Sequence, residues 1–285
     1  MVLFKKSNDL RNYLDSQRKY QGKIGFVPTM GALHAGHITL INAAKNGGKL
    51  CVTSIFVNPT QFNDPADFKK YPVTIEKDIE LLEAAGCDVL FLPTVEEIYP
   101  DGAKLNRHYD LGFLEKMLEG EYRPGHFQGV CAVVERLLKI VIPDNLYIGQ
   151  KDYQQCMVIK KLIELMDMQN VIKVNISPTL READGLAMSS RNMRLSPGER
   201  EKASSIYQSL RFIKENIQPG KLADLKNQAA QLLTQKQFKV DYVEIADAAT
   251  LLIVNDWDGK QKLVTLAAAF LNGIRLIDNI LLSEE

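Results

Sequence analysis

Ile24-Gly25-Phe26-Val27-Pro28-Thr29-Met30-Gly31-Ala32-Leu33-His34-Ala35-Gly36-His37-Ile38 carries the decisive pattern of this chain. Its first four residues form a short apolar run and read as a buried strand. From Ile38 to Ala44 the apolar spacing is helical. A strand thus enters a loop of small residues, and a helix opens beside two histidines. A helix start presents unpaired N–H groups and the positive end of the dipole, which suits phosphate. Gly31 and Gly36 let backbone and ligand approach closely. His34 and His37, three apart, share a helix face. Two imidazoles at such a place point to chemistry on a nucleotide phosphate chain.

Outward from this unit the alternation continues. Cys51–Val57, Val89–Leu92, Leu146–Ile148 and Val171–Ile176 read as strands. Ile75–Ala85, Val130–Val141 and Val158–Met166 read as helices. Such alternation predicts an α/β, Rossmann-like parallel sheet covered on both faces. Ligands then bind beyond the carboxyl ends of strands, so the segments after them, Pro28–His37, Asn58–Phe62 and Gly149–Gln155, should collect at one edge. Beyond residue 178 the pattern changes. Ser196-Pro197 with Glu199 reads as the start of a helix reaching Asn216, and Pro219-Gly220 breaks the chain. A helix over Leu222–Gln237 and strands over Val240–Ala246, Leu263–Phe270 and Ile274–Leu282 follow, with a turn at Asp258-Gly259. The expected division is 1–178, a nucleotide-binding domain, and 179–285, a smaller C-terminal α+β domain closing over the site.

Composition narrows the function. The chain has 285 residues, is 46% hydrophobic, and balances 35 basic against 35 acidic residues. Zero net charge gives no global field towards nucleic acid or an anionic membrane. Four scattered cysteines, Cys51, Cys87, Cys131 and Cys156, have no zinc spacing and fit a reducing compartment. Cys51 and Cys131 lie in apolar runs and read as buried thiols. Met1–Leu10 has no secretory h-region and no run reaches spanning length, so a cytoplasmic protein is expected.

Each polar constellation has a bland alternative. His34-x-x-His37 could chelate a metal, but no Cys is near and the closest acidic residue in sequence is far off, so no metal ligand is assigned. Asn58-Pro59 could be only a turn, yet Asn58 and Gln61 offer amides suited to a small ligand with hydroxyls and a carboxylate. Lys151 could reach phosphate oxygens, and Asp152 could cap a helix. The loop Asp184–Asn192, with Ser189, Ser190 and Arg191, is either a solvated connection or a phosphate clamp. Arg123, in Arg123-Pro124-Gly125-His126, is equally a structural turn residue or a carboxylate binder.

Taken together, FVPTMGALHAGH (Phe26–His37), SIFVNPTQF (Ser54–Phe62), RPGHFQGV (Arg123–Val130), GQKDYQQ (Gly149–Gln155), PTLREADGLAMSSRN (Pro178–Asn192), YVEI (Tyr242–Ile245) and RLIDN (Arg275–Asn279) resemble the pantoate–β-alanine ligase family. The resemblance runs from about residue 20 to the end of the chain. It implies that ATP and (R)-pantoate give a pantoyl adenylate and pyrophosphate, that β-alanine then gives pantothenate and AMP, and that Mg²⁺ sits on the phosphates of a homodimeric enzyme. It places ATP against Met30, Gly31, Ala32, Leu33, His34, Ala35, Gly36 and His37, against Gly149, Gln150, Lys151 and Asp152, and against Leu180, Met188, Ser189, Ser190 and Arg191. Gln61 and Gln155 would hold pantoate, Gln61 would also face β-alanine, and His37 stands where the family has its proton donor. The catalytic set expected is His37, His34, Lys151 and Arg191, with Asn58 and Arg123 added to the substrate-binding set. Val73, where the family reads Arg, and Arg194, where it often carries Tyr, depart from the pattern. The rival reading is a nucleotidyltransferase moving a nucleotidyl group onto a phosphorylated acceptor. Of the non-catalytic alternatives, an RNA-binding module is disfavoured by zero net charge and the absence of a basic-aromatic patch, and a nucleotide sensor would bind ATP without releasing pyrophosphate.

Overall fold

The computed structural model describes residues 1–47, 49–105 and 107–282. Two compact units divide the chain between Pro178 and Thr179, and Lys151–Tyr153 pack with the second.

The first unit is built on six parallel strands: β1 (Val2–Phe4), β2 (Ile24–Thr29), β3 (Leu50–Ile55), β4 (Val89–Phe91), β5 (Asn145–Gly149) and β6 (Lys173–Ser177). Their order is β1-β4-β3-β2-β5-β6. All six residues of β3 are buried, as a strand covered on both faces requires. Helices α1 (Ser7–Gln21), α2 (Ala35–Asn46), α3 (Pro65–Lys69), α4 (Ile75–Ala84), α5 (Val95–Ile98), α6 (Glu119–Tyr122), α7 (His126–Val141) and α8 (Tyr153–Leu165) connect and cover them, with Tyr153 itself packing in the second unit. Leu40, Ile41 and Ala44 of α2 and Leu82 of α4 pack with Val27, Cys51, Ile55 and Leu90 of the sheet. The cysteines are all free and buried.

This order makes β2 the pivot of the sheet. From β2 the chain runs outward through β3 to β4 on one side, then returns to β5 and β6 on the other. The segments leaving β2 and β5 therefore part on either side of a switch point, where open α/β sheets bind their ligands.

The second unit holds an antiparallel sheet, β11-β10-β8, of β8 (Lys239–Asp247), β10 (Leu263–Leu271) and β11 (Ile274–Leu281), and a small pair, β7 (Gly220–Lys221) with β9 (Asp256–Trp257). Helices α9 (Pro197–Ala203), α10 (Ser205–Asn216) and α11 (Ala223–Gln235) complete it. Ile206, Leu210 and Ile213 of α10 meet Ala229 and Leu233 of α11 and Ile245, Ala267 and Leu276 of the sheet in one core. Ser196 and Glu199 form the expected capping box with Pro197 in the first turn. The single helix expected from Ser196 to Asn216 is in fact two, interrupted at Ser204, where ψ opens to −15°. Val171, expected in a strand, stays outside β6 and is exposed.

Candidate active site

In the first unit β2 ends at Thr29, whose hydroxyl donates to the Ser54 carbonyl of β3 at 2.8 Å. The chain then turns sharply, with Gly31 at φ +79° and Ala32 at φ +48°, both in the left-handed region. A non-glycine residue at positive φ persists only where its surroundings hold it. The holder is Asp78 of α4, a buried carboxylate absent from the motifs read in sequence. Its Oδ2 accepts the Ala32 N–H at 2.9 Å, and its Oδ1 accepts the Leu33 N–H at 2.8 Å and the Thr74 hydroxyl at 3.0 Å. A side chain at Gly31 would be strained by the φ of +79° and would crowd Asp78 Oδ2 and Ile55, each 3.0 Å from the Cβ position.

His34 then caps α2 and His37 is the third residue of its first turn. The His37 N–H donates to the His34 carbonyl at 2.8 Å, and the His34 N–H donates to His37 Nδ1 at 3.3 Å. The rings lie 4.0 Å apart between centroids. Because Nδ1 of His37 accepts, the proton of its neutral ring is assigned to Nε2, making Nε2–H a donor. The loop amides at Gly31, Ala32, Leu33 and His34 are thus all taken by protein acceptors. Phosphate-directed donors are to be sought in the imidazoles and in the first-turn amides of Ala35 and Gly36.

Beyond β3, a 3₁₀ turn over Pro59–Gln61 presents Gln61. Its Nε2 reaches Met30 Sδ at 3.1 Å, so the segments after β2 and β3 do meet at one sheet edge. Asn58 is buried, and its amide is taken up within the protein. Nδ2 donates to Gln61 Oε1 and to the Gly129 carbonyl, both at 3.1 Å, while Oδ1 accepts the Tyr99 hydroxyl at 2.7 Å and the Thr60 hydroxyl at 3.1 Å. This geometry gives Asn58 the task of orienting Gln61. Gly129 of α7 makes room for the turn, since a Cβ there would lie 2.2 Å from the Thr60 carbonyl oxygen.

Arg123 also faces inward, with Nη1 3.1 Å from His126 Nε2 and 3.6 Å from Glu119. A guanidinium can only donate, so His126 Nε2 accepts and its Nδ1–H donates to the Gln61 carbonyl at 2.8 Å. The Arg123–His126 turn therefore fixes the backbone that carries Gln61. Gly149 closes β5, Gln150 opens the next 3₁₀ turn, and Gln155 lies half-buried on α8.

The remaining sequence-derived residues lie in the second unit. Lys151 is 19% exposed at its side chain, with Nζ 3.6 Å from Asp152. Leu180 to Met188 form a hairpin. The Met188 N–H donates to the Leu180 carbonyl at 3.0 Å and the Glu182 N–H to the Leu186 carbonyl at 2.9 Å, around Gly185 at φ +92°. Ser189 caps the 3₁₀ turn Ser190–Arg194 by accepting the Arg191 N–H at 3.3 Å, and Ser190 is buried. Arg200 of α9 grips the hairpin through Asp184 at 2.5 Å and Glu182 at 2.6 Å, and its hydrogen bond holds the Asp184 carboxyl below the usual carboxylate range.

Comparison with known proteins gives one answer along the whole chain. The family model described as pantoate-beta-alanine ligase matches residues 2–281. The pantothenate synthetase of Cytophaga hutchinsonii is 44% identical over 99% of both sequences. Among solved structures, a pantothenate synthetase from Thermus thermophilus aligns with a TM-score of 0.90 at 39% identity, covering all of both chains. The pantoate-beta-alanine ligase of Francisella tularensis, solved with beta-gamma ATP and beta-alanine, aligns at 0.82 and 39% identity over 99% of this chain and 98% of that one. With a parallel six-stranded sheet whose pivot strand feeds a histidine-capped helix, and with this match from one end to the other, the chain belongs to the pantoate-beta-alanine ligase family.

Proposed function

We propose that this chain makes pantothenate from (R)-pantoate and β-alanine at the expense of ATP, through a pantoyl adenylate and with release of pyrophosphate and AMP. The observation that carries the reading is the imidazole pair His34 and His37, in contact at the start of the helix that follows β2, in a chain matched by the ligase family over residues 2–281.

The chemistry asks for what these residues offer. A carboxylate does not acylate an amine, because an oxide ion does not leave; joined to AMP it acquires a good leaving group. The adenylation step brings two anions together, so donors and cations must offset their repulsion. His37 Nε2–H donates to a phosphoryl oxygen as charge builds, with His34 beside it. Lys151 and Arg191 supply positive charge to the phosphates, and Ser189 and Ser190 supply hydroxyls. Gln61 holds pantoate, for its present partner is a thioether, a weak acceptor that a carboxylate or hydroxyl readily replaces. Gln155 is the second pantoate contact. Asn58 and Arg123 act through Gln61, the first on its amide and the second on its backbone through His126. Catalysis rests on positioning and charge, without a covalent enzyme intermediate.

Mg²⁺ enters as the companion of ATP. Among the described residues no three His, Cys, Asp or Glu side chains gather as a metal group. A magnesium ion carried by substrate phosphates and water needs at most one or two protein carboxylates. Asp152, next to Lys151, is the acidic residue inside the phosphate-binding segment. A homodimer and a cytoplasmic location complete the proposal. Four free cysteines support the latter, and no described helix is long and apolar enough to cross a membrane. Light scattering in solution tests the dimer.

The deciding experiment follows pyrophosphate release from ATP. It is expected to require pantoate, and pantothenate is expected to appear only when β-alanine is added. Pyrophosphate release without pantoate, or transfer of a nucleotidyl group to a phosphorylated acceptor, would replace this reading with that of a nucleotidyltransferase.

A further inference from the structure

We propose that Asn279, braced by the buried Arg181–Asp278 ion pair, is a positioning residue that sets Lys151 for catalysis. The inference rests on the assignment of Lys151 to the ATP phosphates, and it concerns a motif, Arg275–Asn279, to which no role has been given so far.

The arrangement lies wholly within the second unit. Asp278 on β11 has no exposed side-chain surface. Its two oxygens take both terminal nitrogens of Arg181, at 2.6 and 3.0 Å, a two-point guanidinium contact. Asp278 Oδ1 also accepts the backbone N–H of Asn279 at 2.8 Å, and Arg181 Nη2 donates to the Asn279 carbonyl at 3.0 Å. The Asn279 backbone is therefore gripped on both sides by one ion pair. Its side chain is 2% exposed as a residue and donates from Nδ2 to the Lys151 carbonyl at 2.8 Å.

Arg181 does more. It donates to the Gly185 carbonyl at 3.1 Å and stacks 4.2 Å from the centre of the Tyr207 ring. The same guanidinium thus registers the hairpin that leads into Met188–Arg191. Lys151 is otherwise in a short 3₁₀ turn, an element with few bonds of its own. Tyr153, two residues on, gives the other tether by donating its hydroxyl to the Ala248 carbonyl at 2.7 Å. A lysine is a flexible point charge, and its value to a developing phosphoryl charge depends on where its backbone starts. The buried pair supplies that fixed origin. Breaking a buried pair to leave one charge unmatched is severely destabilising, so the network holds one register or none. The last link, the amide of Asn279, is uncharged and can be removed without that penalty.

The test is a double-mutant cycle on pantoate-dependent pyrophosphate release by the full-length enzyme, with Asn279→Ala, Lys151→Ala and the combined variant. Asn279→Ala is expected to lower kcat roughly ten- to hundredfold with the KM for pantoate little changed. In the Lys151→Ala background the same substitution is expected to have no further effect. Asn279→Leu keeps the size but loses the donor without adding a charge, and it is expected to behave like Asn279→Ala. It serves if the alanine variant does not fold. Full turnover in a folded Asn279 variant overturns the proposal, as does an effect that persists undiminished without the lysine. Failure of both Asn279 variants to fold also overturns it, by showing a folding element instead. The assignment of Lys151 itself is judged separately, by the turnover of Lys151→Ala alone.

Discussion

Asp78 holds the loop Gly31–Leu33 by its backbone, whereas Arg200 and Arg181 hold the hairpin Leu180–Met188 largely through charge. The first anchor is a fully buried carboxylate accepting two amides and a hydroxyl. The second is spread over a half-exposed fork, Arg200 with Asp184 and Glu182, and a sheltered one, Arg181 with Asp278. Amide-to-carboxylate bonds in the dry interior do not answer to salt. Guanidinium pairs at the surface contribute less and are screened. The first loop therefore has one dry anchor, whereas the hairpin has a sheltered anchor and an exposed one, and only the exposed Arg200 fork is open to loosening by conditions. The first loop, the rigid one, carries the histidines, where a proton donor must stand within a fraction of an ångström of its oxygen.

Removing the rigid anchor is the severest way to break this contrast. Asp78→Ala leaves two buried N–H groups without acceptors, each worth about 1–3 kcal/mol. A stability loss of about 2–6 kcal/mol in urea unfolding is expected, with adenylation falling in whatever fraction folds. Asp78→Asn, which keeps one acceptor, is expected to fall between. Wild-type stability in Asp78→Ala would mean that the loop holds its positive-φ shape by itself. Next in size is His37→Ala. The bond from the His34 amide to Nδ1 leaves Nε2 as donor, and loss of such a preorganised donor lowers rates about 10²–10³-fold. Single-turnover formation of the pantoyl adenylate measures it, and a folded His37→Ala enzyme at full rate would remove His37 from the chemistry.

The same contrast explains what can be read in advance. The strand, loop and helix around His34 and His37 stand out because apolar period and glycine spacing are local signals. The Ser196–Glu199 cap is legible for the same reason. Asp78 is not, because its partners are backbone amides 45 and 46 positions away, and an amide has no residue type to mark it. Asn58 and Arg123 stand out in the sequence as side chains that could serve a substrate. Their partners inside the protein, Tyr99 and Gly129 for the first and, through His126, the Gln61 carbonyl for the second, come from distant segments, and the sequence does not mark those pairings. Strand β1, with three residues, is too short to show a period, and helix α1 is marked only by Leu10 and Leu14, four apart and buried, in a largely polar sequence. Gln154, polar on the buried side of α8, hides that helix's first turn. The Leu114 and Met117 carbonyls satisfy it, at 2.8 and 2.9 Å.

Gln61→Ala sharpens the comparison within the rigid unit. It removes a side chain that Asn58 orients without disturbing the Asp78 anchor. Pantoate affinity is expected to weaken about tenfold, near 1.4 kcal/mol, with ATP affinity little changed. Calorimetry showing the reverse order would place pantoate elsewhere.

The smallest effect belongs to the loose anchor and depends on pH. Hydrogen bonding to Arg200 lowers the Asp184 carboxyl, so the folded chain binds this proton less readily than the unfolded one. The contribution to stability is therefore present above the ordinary carboxylate range and is lost as pH falls through the lowered value. Asp184 is 38% exposed at its side chain, so solvent screening keeps the contribution under about 1 kcal/mol. Arg200→Gln is expected to unfold slightly more easily than the parent at neutral pH and low salt, with the gap closing in acid and in about 1 M salt. Asp78→Asn is expected to keep its deficit across the same salt series, because its lost bonds lie where ions do not reach. If Arg200→Gln also kept its deficit in salt, the hairpin would be held by the shape of the guanidinium fork and its hydrogen bonds, and the two loops would be anchored alike.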